Sequence, residues 1–339
     1  MKIDTLLSGL EDAVEHARRL EELGVDGAFT FEGPHDVFTP LVLAAPATTS
    51  LELATNVAIA FPRNPLQLAH QAYDLQLLSH GRFTLGLGSQ IRAQVEKRYG
   101  ASFDRPIARM RALVGALRAI FATWEIGEPL DFRSEFTSHT LMPPMFNPGP
   151  NPFGMPAIAI GGLGPQMIRL AAELADGLLV MPFNTAEHFR QRTLPAIGEG
   201  LARAGRHRSD LTVTGEVIVC CGRDGEELET ARAAGRRLLA FYASTPAYRP
   251  VLEVEGWEHL QPELNMLSKS GRWEEMPPMI DDTMLAALAE VGSPKEVAAG
   301  IVARFGDTVD RVGFYTPYLV AYETLGELVD ELGSRSVPS

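Results

Sequence analysis

Three proton-handling side chains fall within five positions in the run Phe31-Glu32-Gly33-Pro34-His35-Asp36-Val37-Phe38. Carboxylates beside an imidazole are the raw material of general acid–base catalysis near neutral pH. Glu32, His35 and Asp36 are therefore the candidate catalytic residues. The competing reading is local, with Glu32 and Asp36 capping the next helix and His35 in solvent. Further on, Val57-Ala58-Ile59-Ala60-Phe61-Pro62-Arg63 places small residues at a strand end. There a flat ring can approach the backbone at Ala58 and Ile59, with Arg63 as a partner for an anionic group. These residues serve equally well as interior packing.

Two further stretches bring backbone rather than side chains. In Gly86-Leu87-Gly88-Ser89-Gln90 the glycines permit close approach, and Ser89 and Gln90 offer hydrogen bonds. In Gly161-Gly162-Leu163-Gly164-Pro165 bare amides run into a helix start. That combination holds phosphate without basic side chains, and Gly161, Gly162, Leu163 and Gly164 are candidate cofactor-binding residues. A tight turn with no ligand is the alternative.

Other chemistries lack their residues. Neither H-x-x-x-H nor C-x-x-C occurs, so no metal site is expected. There is no G-x-S-x-G elbow and no P-loop. Cys220 and Cys221 are adjacent, point to opposite faces of a strand, and read as two buried thiols.

Elements must carry these loops, and strand and helix patterns alternate almost throughout. Strands are expected at Lys2–Leu7, Val25–Phe31, Leu53–Phe61, Arg82–Gly88, Pro156–Gly161, Gly177–Pro182, Leu211–Val219 and Arg311–Thr316, with amphipathic helices between them. Asn64-Pro65 marks one helix start by cap and proline, and Ser293-Pro294-Lys295-Glu296 another by a capping box. Gly24-Val25-Asp26-Gly27, Leu174-Ala175-Asp176-Gly177 and Thr308-Val309-Asp310-Arg311 look alike at three strand starts. Eight alternations predict a closed (β/α)8 TIM barrel, with the site at the C-terminal ends of the strands. An open doubly wound sheet is the alternative, weakened by the lack of G-x-G-x-x-G after the first strand.

The alternation stops twice, at about 123–155 after the fourth helix and about 244–283 after the seventh. A bare barrel needs roughly 250 residues. The remainder of the 339 is accounted for mostly by these insertions, so residues 1–339 are read as one barrel domain. The insertions' Met142, Met145, Phe146, Phe153, Trp257, Met266 and Trp273 suggest pocket walls for an apolar substrate.

Thirty basic against 43 acidic residues give a net charge of −13. That excess argues against nucleic acid or an anionic membrane as partner, so a bound phosphate must be held locally. The acids in MKIDTLLSGLEDAVEHARRL exclude a signal peptide and predict a cytoplasmic protein. Phe136 to Ile168 contains no Asp, Glu, Lys or Arg, but seven prolines bar it from spanning a membrane as a helix.

In order along the chain, Phe61-Pro62-Arg63-Asn64-Pro65, Ser79-His80-Gly81-Arg82-Phe83-Thr84-Leu85-Gly86-Leu87-Gly88, Gly161–Pro165 and Ala175-Asp176-Gly177 resemble the bacterial luciferase-like superfamily. The stretches 243–253 and 256–273 are similar to its branch that uses coenzyme F420, a deazaflavin hydride carrier. The resemblance covers essentially the whole chain. It implies a (β/α)8 barrel, a non-proline cis peptide near Ala58–Ile59, phosphate on Gly161–Gly164, and Ser89 and Gln90 along the ring or its side chain. It also implies a homodimer. Asp36 matches an Asp of the family. In the related sugar-phosphate dehydrogenase a catalytic His follows that Asp, where this chain has Val37, and a Glu after the fourth strand is replaced near Ile91.

The expected function is hydride transfer between the deazaflavin C5 and a small organic substrate. A monooxygenase using FMN and a non-catalytic deazaflavin-binding barrel are the alternatives.

Overall fold

A computed structural model describes residues 1–335. Eight parallel strands close on themselves: β1 Lys2–Leu6, β2 Gly27–Thr30, β3 Glu52–Thr55, β4 Phe83–Gly88, β5 Ala157–Gly162, β6 Gly177–Val180, β7 Thr212–Cys221 and β8 Arg311–Tyr315. Each pairs with the next, and β8 pairs with β1 through Lys2↔Arg311 to Thr5↔Phe314. The expected (β/α)8 barrel is the observed fold.

The three look-alike strand starts have one physical cause. Asp26, Asp176 and Asp310 each accept a hydrogen bond from the first amides of the neighbouring strand: Ile3 N at 2.7 Å, Ile158 N at 2.8 Å and Val213 N at 2.7 Å. Each Asp amide donates back to the same residue's carbonyl. The side chain thus closes the ladder where the pairing begins and fixes its register.

Outside the barrel, α1 Ala13–Glu22, α2 Thr39–Ala44, α3 Pro65–Leu78, α4 Pro106–Ile126, α5 Pro165–Leu174, α6 Leu194–Ala204, α7 Gly225–Ala243, α8 Pro294–Phe305 and α9 Tyr322–Arg335 supply most of the cover. Asn64 caps α3 through Leu66 N at 2.9 Å, and Ser293 with Glu296 makes the capping box of α8. The helix α4 buries Met110, Leu113, Val114, Leu117, Ile120, Phe121 and Trp124.

The insertions differ from the expected picture in detail. Helix α4 runs on to Ile126, so the first insertion starts later and forms a short hairpin, Phe132–Arg133 with Ser138–His139. The second is largely helical, with Arg249–Glu255 and Leu260–Lys269. A strand that the pattern did not suggest, Ala289–Gly292, extends the sheet beside Ile218–Cys221 of β7. Four residues are too few to show a period. Among the described residues no helix is long and apolar enough to cross a membrane.

Candidate active site

At the bottom of the barrel an ion-pair cluster closes the interior. Arg311 Nε donates to Asp4 Oδ2 at 2.7 Å, and its Nη1 donates to Glu52 Oε2 at 2.6 Å. Gly27 lacks a side chain because the Asp4 carboxylate stands where its β-carbon would be. The acids at this end therefore have a cation.

The opposite, C-terminal end opens into a cavity of about 550 Å³. Its shape originates in a bulge. Ala54 pairs with Thr84, and pairing resumes at Ala58↔Leu87 and Ile59↔Gly88, so the β3 side carries one residue more than β4. The Thr55 hydroxyl fills the gap, donating to Gly86 O at 2.7 Å and accepting from Gly86 N at 2.9 Å. The bulge pushes Val57 toward Gly88 and Gly161, whose missing β-carbons leave room for its two methyl groups. The result is a smooth apolar patch in the cavity wall, bounded by Ile59, Ser89 and Gly162. The one cis peptide bond of the described residues is Asn56–Val57. It lies two residues before the position near Ala58–Ile59 implied by the family resemblance.

Glu32 and Arg63 brace this bulge. Arg63 Nη1 stands 2.8 Å and Nη2 3.0 Å from the Glu32 carboxylate, with both side chains largely buried. Glu32 Oε2 also accepts from Ile59 N at 3.1 Å, and Arg63 Nη1 donates to Ile59 O at 2.8 Å. Arg63 is thus committed to Glu32 and is not a free partner for an anion. Ala58 is buried in the continued strand, while Ile59 faces the cavity.

His35 and Asp36 are not brought to the cavity. Both are exposed and absent from its lining. Asp36 Oδ1 accepts from Phe38 N at 3.0 Å, Thr39 N at 2.9 Å and the Thr39 hydroxyl at 2.9 Å, so its carboxylate organises the start of α2. The structure separates the sequence-derived triad into one bracing residue and two surface residues.

Ser89, Gln90 and Gly161–Gly164 do line the cavity. Gln90 takes a positive φ of 55°, and its side-chain oxygen accepts from Ile91 N at 2.9 Å. The glycine loop enters α5 with no side-chain cap, and a β-carbon on Gly164 would meet nothing within 4 Å. Open backbone at the positive end of a helix is therefore presented beside the smooth patch.

The residue missed from sequence is Glu216, buried in mid-β7 and exposed only to the cavity. It lies level with Gly313 of β8, and a β-carbon there would come within 3.2 Å of Glu216 Cγ. Burial pushes its carboxyl up to about 8; a hydrogen bond from Asn56 works against this, and the charge of Asp4 adds to it. Unlike Asp4, it has no cation among the groups acting on it. Tyr242, from the end of α7, and Tyr315 are hydrogen-bonded to each other, and both feel the Glu216 charge. The one available signal was an acid at an inward position of an otherwise apolar strand.

Met167, Leu179, Met181, Pro182 and Tyr248 supply the cavity's apolar walls. The methionines and aromatics expected from the insertions do not line it; Met145 and Phe146 are exposed elsewhere. From the second insertion only Ala247 and Tyr248 reach it. Among the described residues no group of His, Cys, Asp and Glu is placed to hold a metal ion.

A family model described as luciferase-like monooxygenase matches residues 3–311. An uncharacterized protein of Mycobacterium tuberculosis is 46% identical over 313 residues, 92% of each chain. A 5,10-methylenetetrahydromethanopterin reductase of Archaeoglobus fulgidus is 26% identical over 268 residues, 77% of this chain and 76% of the relative. Among solved structures, the coenzyme F420-dependent tetrahydromethanopterin reductase from Methanopyrus kandleri superposes with a TM-score of 0.82 at 19% identity, covering 99% of this chain and 98% of that one. Barrel, bulge and glycine loop occur here in a chain that belongs to the luciferase-like monooxygenase family.

Proposed function

We propose that this protein is an F420-dependent oxidoreductase acting on a small, apolar organic substrate. The observation that carries the reading is the smooth apolar wall made by the Val57 methyl groups over Gly88 and Gly161, continuous with the open backbone of Gly161–Gly164. A flat ring with a phosphate-bearing chain needs both features, and the residues present fit it. The relative described as coenzyme F420-dependent supports the choice of carrier.

When bound, a deazaflavin supplies or accepts a hydride at C5. The protein's contribution is positioning. Ile59 and Val57 would support one face of the ring, and Glu32 with Arg63 keeps that support in place. Ser89 and Gln90 would hydrogen-bond its edge or side chain. The amides of the glycine loop would hold the phosphate, which suits a protein whose net charge of −13 provides no general attraction. Met167, Leu179 and Met181 line the cavity and would exclude water from a substrate bound there.

Titrating F420 and, separately, FMN with the protein while following fluorescence tests the reading. Saturable quenching of F420 is expected. Binding of FMN with none of F420 would replace this reading with that of a flavin monooxygenase. Binding of F420 with no turnover of any carbonyl or alcohol substrate would favour a cofactor carrier.

A further inference from the structure

We propose that Glu216 is the acid–base residue of this cavity, exchanging a proton with the oxygen of a small uncharged ketone or secondary alcohol. The proposal rests on the deazaflavin reading and adds the substrate's chemical class and the group that moves its proton.

Position comes first. Glu216 is an ionisable side chain in the cavity lining that makes no ion pair among the described residues and belongs to neither a cap nor the bulge. Glu32, the other lining acid, is held by Arg63 and Ile59 N. Around Glu216 stand Asp4 from β1, Asn56 from the bulge, Tyr315 from β8 and Tyr242 from α7. Asp4 is engaged by Arg311, and the two phenols are poor acids here because burial pushes both upward. Glu216 is left as the group that can change protonation near neutral pH.

The same inventory restricts the substrate. Arg63 is paired with Glu32, and Arg92 at the cavity rim is paired with Glu96 at 2.6 Å. Among the described residues no buried lining cation is left unpaired to receive a carboxylate or phosphate on the substrate. One acid without a cationic partner, set among largely apolar walls, suits a molecule with one hydrogen-bonding oxygen.

In the reductive direction the carbonyl π bond breaks. A bound reduced deazaflavin would supply the hydride for the C–H bond, and Glu216 would give the proton for the O–H bond. The carbonyl gains two electrons, the carrier loses two, and the Glu216 carboxylate regains a proton from water. Oxidation of the alcohol runs the same steps backwards.

The test compares wild type with Glu216→Gln, using cyclohexanone as the probe ketone. Infrared titration without cofactor should show a carboxylic-acid band in wild type at pH 7 that is lost near pH 8 and missing in the variant. Both proteins should bind F420 within about twofold of each other. Oxidation of reduced F420 by cyclohexanone should slow by at least roughly 100-fold in the variant and lose its decline above about pH 8. F420 binding by wild type without cyclohexanone reduction, a variant rate within about threefold of wild type, or no protonated carboxyl at pH 7 would each overturn the assignment. Failure of wild type to bind F420 would overturn the deazaflavin reading, and this step with it.

Discussion

Val57 occupies the space that a side chain on Gly88 would need. A β-carbon on Gly88 would clash with Val57 Cγ2, and one on Gly161 would lie 2.9 Å from Val57 Cγ1. The bulge residue Val57 and two glycines from neighbouring strands therefore depend on one another's size. Gly88→Ala should displace Val57, destabilise the fold by about 1–3 kcal/mol, and weaken F420 binding at least roughly 10-fold. Gly161→Ala should weaken binding with a smaller loss of stability. Thermal melts beside fluorescence titrations separate the two effects.

The Glu32–Arg63 pair is expected to be structural. Arg63→Ala strands a buried carboxylate, and urea unfolding should show a loss of about 3 kcal/mol. The double change Glu32→Ala with Arg63→Ala should recover part of that loss, because the unpaired charge is gone. If Arg63 instead held the cofactor's phosphate directly, the single variant would lose binding while keeping its stability.

His35→Ala should leave F420 binding and turnover within about twofold of wild type, since His35 is exposed and outside the cavity lining. Asp36→Ala should cost about 1 kcal/mol through the loss of its hydrogen bonds to Phe38 N and Thr39 N. Chemical denaturation and steady-state rates measure these outcomes separately.

Glu216 also ties stability to pH. Its carboxyl has the ordinary value of 4.5 when unfolded, and burial pushes it up to about 8 when folded. Between these values the folded state holds a proton that the unfolded state has released, so stability falls as pH rises through this window. Glu216→Gln removes the dependence. The variant should match wild type near pH 4 and exceed it above pH 8, by an amount on the order of a few kcal/mol. Unfolding midpoints across this range give the comparison.

The barrel was legible because its signals are local and repeated. Strand patterns, Asn64-Pro65, the Ser293–Glu296 box and the three Asp starts each report on a few neighbouring residues. Gly161–Gly164 was legible for the same reason, since its chemistry is its own backbone. The acid–base assignment was less so. Proximity along the chain grouped Glu32, His35 and Asp36, but the strand-end loop turns Glu32 inward to Arg63 and leaves the other two in solvent. Glu216 had no neighbouring chemical partner in sequence. Its significance depends on Asn56, Tyr242, Tyr315 and Gly313, which come from other elements and meet only after the barrel closes.

A crystal structure with F420 bound tests the central claim most directly. The account predicts the ring against Val57, Gly88 and Gly161, the phosphate on the amides of Gly162–Gly164, and Glu216 facing the open side of the ring. A ring bound elsewhere, or a phosphate held by Arg63 with its pairing to Glu32 broken, would contradict it.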